Sequence, residues 1–225
     1  MEQSYDVHLL QVGAERFRNY NYIITDKYSN EAVIIDPAWD LNLILGQIRR
    51  LNVNLTSILL THSHDDHVNL VRPLLEYFDA KVYMSAAEID YYSFDTENLV
   101  PFQDMDEIRL GCTLITCLVT PGHTAGGACF LLADHLFSGD TLFTEGCGIC
   151  NTPGGSADEM FNSIQRIKHI VPPHVCVYPG HSYGKAPGYT LGYLLQSNIY
   201  LLIDDKEVFI NFRMRKNQQH ILRFS

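Results

Sequence analysis

Residues 61–68 read "THSHDDHV", so three of the chain's ten histidines and two aspartates fall within the six positions from His62 to His67. Ten histidines spread over 225 residues seldom crowd this way by chance, and the crowding calls for a chemical reason. On a helix, residues two apart face away from each other. In an extended segment, alternate side chains share a face. His62 and His64 can therefore chelate one ion only where the chain is extended, with Asp66 and His67 carried round a bend towards a second. The helical His-Glu-x-x-His motif of metalloproteases is absent. Immediately upstream, "TSILLT" (56–61) is an apolar run that predicts a buried strand feeding straight into the cluster.

The same grammar recurs. "CTLITCLVT" (112–120) predicts a strand ending near His123, "HLFS" (135–138) one ending near Asp140, and "VCVYPG" (175–180) one ending at His181. Earlier, "YDVHLLQV" (5–12), "NYIITD" (21–26) and "EAVIIDP" (31–37) read as strands. "LNLILGQIRRLN" (41–52) has apolar residues at helical spacing, and "SADEMFNSIQRIKHI" (156–170) opens with a capping serine and Glu159 three residues on. Strands interleaved with helices predict a single α/β domain. Its polar clusters lie just past strand C-termini, where loops can converge on one site.

Together the clusters supply five histidines and two aspartates: His62, His64, Asp66, His67, His123, Asp140 and His181. Taken one at a time, His123 or His181 is more simply a turn residue. As a set they exceed the roughly four ligands of a single zinc site. Seven suit two divalent ions, with Asp140 between them. Two such ions, two aspartates and a hydroxide sum to about +1, a balance that acidifies bound water and favours an anionic intermediate.

The bulk composition narrows the class. A net charge of −10 argues against broad nucleic-acid binding. The N-terminal "MEQSYDVHLLQVG" has neither the basic region nor the apolar run of a signal peptide. No window is long and apolar enough for a membrane helix. Six scattered cysteines then read as reduced thiols of a cytoplasmic protein, with Cys147 and Cys150 as buried thiols beside a glycine turn before any redox or zinc pair.

In this order and at these separations, "THSHDDH", "TPGHTAG", "SGDTLFTEGCG" and "PGHSYG" resemble the metallo-β-lactamase-fold hydrolases, within them the glyoxalase II branch. The resemblance spans roughly residues 5–185 and implies a four-layer αβ/βα sandwich with metals at one edge. It implies His62, His64 and His123 on a first metal, Asp66, His67 and His181 on a second, and Asp140 bridging. Asp66 and Asp140 would be catalytic as well as ligating. Zinc is expected before iron or manganese.

The departures bear on substrate. Glyoxalase II enzymes usually carry a basic residue after "GCG", where this chain has Ile149, and a longer C-terminal helical region than 186–225 provides. The early "YDVHLLQVG" and "GCGICNTPGGSADEMF" are similar to small zinc-dependent hydrolases of bacterial polyketide synthesis. That likeness implies hydrolysis of an acyl thioester held on an acyl carrier protein or coenzyme A. Tyr183, two residues past His181, is a candidate substrate contact, with a packed aromatic as the alternative. Arg213, Arg215, Lys216 and Arg223 form either a docking patch for an acidic carrier or an ordinary solvated face. The rivals are glyoxalase II itself, a persulfide dioxygenase with one iron, a ribonuclease of the same superfamily, and a metal-stabilised binding protein.

Overall fold

The computed structural model describes residues 3–14, 17–181 and 183–216. Two six-stranded sheets form its centre. The first contains β1 (Tyr5–Ala14), β2 (Phe17–Asp26), β3 (Glu31–Ile35), β4 (Asn54–Leu59), β5 (Lys81–Ser85) and β6 (Leu99–Phe102), in that spatial order. The second contains β7 (Glu107–Leu110), β8 (Thr113–Val119), β9 (Ala128–Leu131), β10 (His135–Gly139), β11 (Cys176–Pro179) and β12 (Tyr189–Thr190), each beside its sequence neighbour. The meander β1–β2–β3 is antiparallel, then β3 to β6 run parallel.

Period-two alternation sorts the strand side chains into separate cores. From β2, Tyr20, Tyr22 and Ile24 point between the sheets, where they meet Phe130 and Phe137, while Ile23 points the other way. That outer layer is covered by α1 (Leu41–Leu51) and α3 (Val71–Leu75). Buried Ile44, Leu45, Ile48, Val71 and Leu74 pack there on Ile23, Ile34 and Ile58. The far face of the second sheet is covered by α5 (Ala157–Ile170), α6 (Leu191–Ser197), α7 (Ile199–Leu202) and α8 (Lys206–Arg213), through Met160, Ile164, Ile167, Leu194 and Phe209. The result is helix, sheet, sheet, helix: an αβ/βα sandwich.

Caps fix the helix starts. Asp40 accepts from Leu43 N at 2.9 Å ahead of α1, and Ser156 accepts from Glu159 N at 3.2 Å ahead of α5, as the capping serine predicts. Two short helices lie close to the histidine cluster: α2 (Asp65–Val68), which begins within it, and α4 (Ala86–Tyr92). The sheets are also stitched together near their C-terminal strand ends. Tyr20 N donates to Gly180 O at 2.8 Å, Tyr22 Oη to Pro179 O at 2.6 Å, and Ala128 N to Thr61 O at 2.8 Å. Among the described residues no helix is long and apolar enough to cross a membrane.

Candidate metal centre

The chain leaves β4 at Leu59 and stays extended through His64, whose φ of −62° and ψ of 142° place it just ahead of α2. His62 and His64 consequently turn the same way, their ring centroids 4.7 Å apart. His123, past the end of β8, completes a first trio. His123 Nε2 and His64 Nδ1 lie 3.1 Å apart, and His62 Nε2 is buried with no hydrogen-bond partner. One turn of α2 brings Asp66 and His67 round to His181, forming a second trio. There His67 Nε2 lies 3.1 Å from His181 Nε2, and His181 Nε2 lies 3.3 Å from Asp66 Oδ2.

Asp140, at the end of β10, stands between the trios. Its Oδ2 is 3.6 Å from His123 Nε2 and 3.4 Å from His181 Nε2, and its Oδ1 is 3.6 Å from His67 Nε2. Lone-pair nitrogens at 3.1 Å are close to the edge of a coordination shell with metal–nitrogen bonds of about 2.0–2.1 Å, for which a tetrahedron gives about 3.3 Å. His62 Nε2 and Asp140 Oδ1 are buried polar atoms without hydrogen-bond partners, which is costly unless something else satisfies them. The donor set therefore fits two divalent cations sharing Asp140. The acids and imidazoles of the second trio are coupled. Burial opposes both carboxylates, yet His181 and His67 outweigh it and hold Asp66 and Asp140 below the usual carboxylate range. In turn, and against burial, Asp140 raises His67 and His181, so this pair of acids draws positive charge to the site. Burial, reinforced by neighbouring imidazoles, lowers His62 and His64, leaving neutral nitrogens suited to ligation.

Sequence reasoning missed the groups that hold these ligands in place. Asp36, at the end of β3, accepts from Thr61 N at 2.8 Å, from Thr61 Oγ1 at 2.6 Å and from His67 Nδ1 at 3.0 Å. It thereby fixes the tautomer that presents His67 Nε2, and through Thr61 Oγ1, 3.0 Å from His62 Nδ1, it orients His62 as well. Glu88 of α4, fully buried, accepts from Ser63 N, Ser63 Oγ and Gly126 N, each at 2.8 Å, tying the His62–His64 segment to the loop after His123. His123 Nδ1 donates to Ile149 O at 2.7 Å. Gly180 has no room for a side chain: a Cβ would lie 2.7 Å from both Asp140 Oδ1 and His67 Cε1. The "DP" after β3 carried a signal for Asp36, an acid at a strand end, but nothing in "SAAEID" marks Glu88.

Removing the Asp36 carboxylate by Asp36→Ala is expected to weaken the second metal by about 10- to 100-fold, the usual effect of losing such an outer partner. Competition with a chromophoric chelator measures it. Unchanged affinity would leave Asp36 a purely structural acid.

The family model described as "Metallo-beta-lactamase superfamily" matches residues 15–181, which contain all seven candidate metal ligands. The chain belongs to the metallo-beta-lactamase superfamily. Among its superfamily relatives are the probable polyketide biosynthesis zinc-dependent hydrolases PksB of Bacillus subtilis and BaeB of Bacillus velezensis. They are 53% and 50% identical over 224 residues, and each match covers 100% of both chains. The crystal structure of ETHE1 from Myxococcus xanthus superposes with a TM-score of 0.84 at 28% identity, covering 93% of this chain and 91% of that one.

Beyond the matched residues, this superfamily member corrects one expectation. Arg213 is not a surface charge. It lies on the same face of α8 as Phe209 and is only 7% exposed, its Nη1 donating to Cys147 O at 3.0 Å and to Tyr200 Oη at 3.1 Å. Its guanidinium is used inside the protein, so it is removed from the docking patch. Arg215 is half-buried with its guanidinium over the Phe212 ring at 3.8 Å, and Lys216 is exposed. Arg223 lies outside the described residues. Tyr183 is half-buried beside the metal centre, its ring 5.2 Å from His181 and 4.9 Å from Phe143. Cys147 and Cys150 are free and buried, and burial pushes both thiols up to about 12, so neither offers a thiolate.

Proposed function

We propose that the chain hydrolyses acyl thioesters with the help of two divalent ions, zinc before iron or manganese, in a polyketide pathway where the acyl group rides on a pantetheine arm. The observation that carries this reading is Asp140. A carboxylate set between the two trios of candidate ligands, with one buried oxygen unsatisfied, has the chemistry of a shared ligand. The zinc-dependent polyketide hydrolases at 50–53% identity over full length support the metal and the pathway.

When bound, such ions supply a water acidified towards neutrality and a Lewis acid for the carbonyl oxygen. The protein does the rest. His62, His64, His67, His123 and His181 present fixed, mostly buried nitrogens, while Asp66, whose side chain is 28% exposed, is the more solvent-accessible carboxylate and with half-buried His64 lies on the side open to substrate. Tyr183, its ring 5.2 Å from His181, stands beside the centre and can contact the substrate there. A thiolate with a parent pKa of about 8.5 departs without a general acid, so no further catalytic residue is required. Ile149, 42% exposed, places an apolar side chain where glyoxalase II enzymes usually place a cation, which favours an uncharged arm over glutathione.

The test is a hydrolysis panel with metal analysis on the same preparation: lactoyl-glutathione, acetyl-coenzyme A, and acetyl- and malonyl-carrier protein, with oxygen consumption followed in parallel. About two metals per chain, fastest turnover of a carrier-bound thioester and no oxygen uptake are expected. Full rate after the metal is stripped, or oxygen uptake with one iron, would overturn the reading.

A further inference from the structure

Trp39 is the chain's single tryptophan, and the fold holds it in an unusual way. Its backbone is left-handed, with φ of 71°, a conformation that bulky residues rarely adopt. Its indole is 47% exposed. Two hydrogen bonds fix it there: its backbone N–H donates to Asn69 Oδ1 at 3.0 Å, and its indole N–H donates to Asn19 Oδ1 at 3.0 Å. Asn19 is buried and turns its own amide onto a ligand of the second site, donating to Asp66 O at 2.8 Å and to Asp66 Oδ2 at 3.2 Å.

The indole is therefore one side chain removed from the Asp66 carboxylate. His62, His67, His123, Asp140 and His181 are all buried, so the centre opens to solvent along half-buried His64 and Asp66, and Asp66 is its open edge on the second trio. A large apolar ring is thus left half in water at that opening, held there by a disfavoured backbone and two hydrogen bonds. Strained residues held firmly by their surroundings cluster at ligand sites. We propose that Trp39 is a specificity-determining substrate contact, its ring forming the platform on which the apolar acyl-pantetheine arm lies while the carbonyl reaches the metals. This rests on the thioesterase reading above.

The experiment uses the full, metal-loaded chain. The probe is the ketone analogue of butyryl-pantetheine, in which a methylene replaces the thioester sulfur so that no cleavage occurs. All tryptophan emission comes from Trp39. Titration with the analogue is expected to shift that emission to shorter wavelength, saturating at the inhibition constant found by kinetics. Trp39→Ala should raise KM for butyryl-pantetheine about tenfold, the loss expected when an apolar chain no longer covers an aromatic face. Trp39→Phe, which keeps a flat ring, should recover most of it. Unchanged emission at saturating analogue, or wild-type KM in Trp39→Ala, would overturn the assignment. A protein that cleaves no thioester yet shifts its emission on binding the analogue loses the reaction assignment and keeps the Trp39 contact.

Discussion

Asp140→Ala is expected to abolish turnover while the sandwich stays folded. Asp140 approaches His67, His123 and His181 within 3.4–3.6 Å and stands between the trios, so its loss would remove a ligand from each ion at once. Metal content should fall from about two per chain towards one or fewer, and kcat/KM for any thioester by about a thousandfold, roughly 4 kcal/mol of transition-state stabilisation. The backbone is little affected, because the neighbouring hydrogen bonds Gly180 N to Gly139 O and Thr141 N to Ser138 O do not use the carboxylate. Far-ultraviolet circular dichroism and metal analysis on one preparation check both halves. Normal metal content with normal turnover would remove the two-ion centre altogether.

The second large effect is expected at Glu88. Its fully buried carboxylate takes three hydrogen bonds at 2.8 Å from Ser63 N, Ser63 Oγ and Gly126 N, the last of them wholly out of water. Glu88→Ala leaves those donors without a partner, at about 1–3 kcal/mol each. With about 2–4 °C per kcal/mol for a chain of this size, melting should drop by about 10 °C. The histidine segment and the His123 loop lose their common tie, so the first metal should weaken more than the second. Glu88→Gln keeps one acceptor oxygen for Ser63 but turns an NH2 towards the Gly126 N–H, and should recover only part of the loss. Site-resolved cobalt spectra distinguish the two metals. Equal weakening of both would mean that Glu88 supports the fold in general, not the first trio.

The strands that carry the centre were legible because each is an apolar run followed within a few residues by a histidine or an aspartate. This holds for β4, β8, β10 and β11, and for α1 and α5 with their apolar periodicity. The turn of α2 was read only as a bend, since four residues are too few for periodicity to register. The strand β6, "LVPF", went unseen because Pro101 cannot donate to a ladder and disguises an edge position. The supporting acids Asp36 and Glu88 come from segments 25 residues away on either side of the loops they hold, and only the folded chain brings them there. Arg213 was misread because four charges in a short stretch outweighed a quieter signal: Phe209 and Arg213, four apart, lie on one helical face.

The burial of Arg213 reaches further than its own contacts. Its partner Cys147 O lies two residues before Ile149 O, which steadies His123, and Asn198 Nδ2 anchors the turn just ahead of both by donating to Phe143 O and Gly146 O. A nascent chain will thus have every cation-binding side chain in hand before the segment that braces them has been made. Trimming or tagging close to α8 therefore reaches the reactive end of the molecule without altering a single candidate ligand.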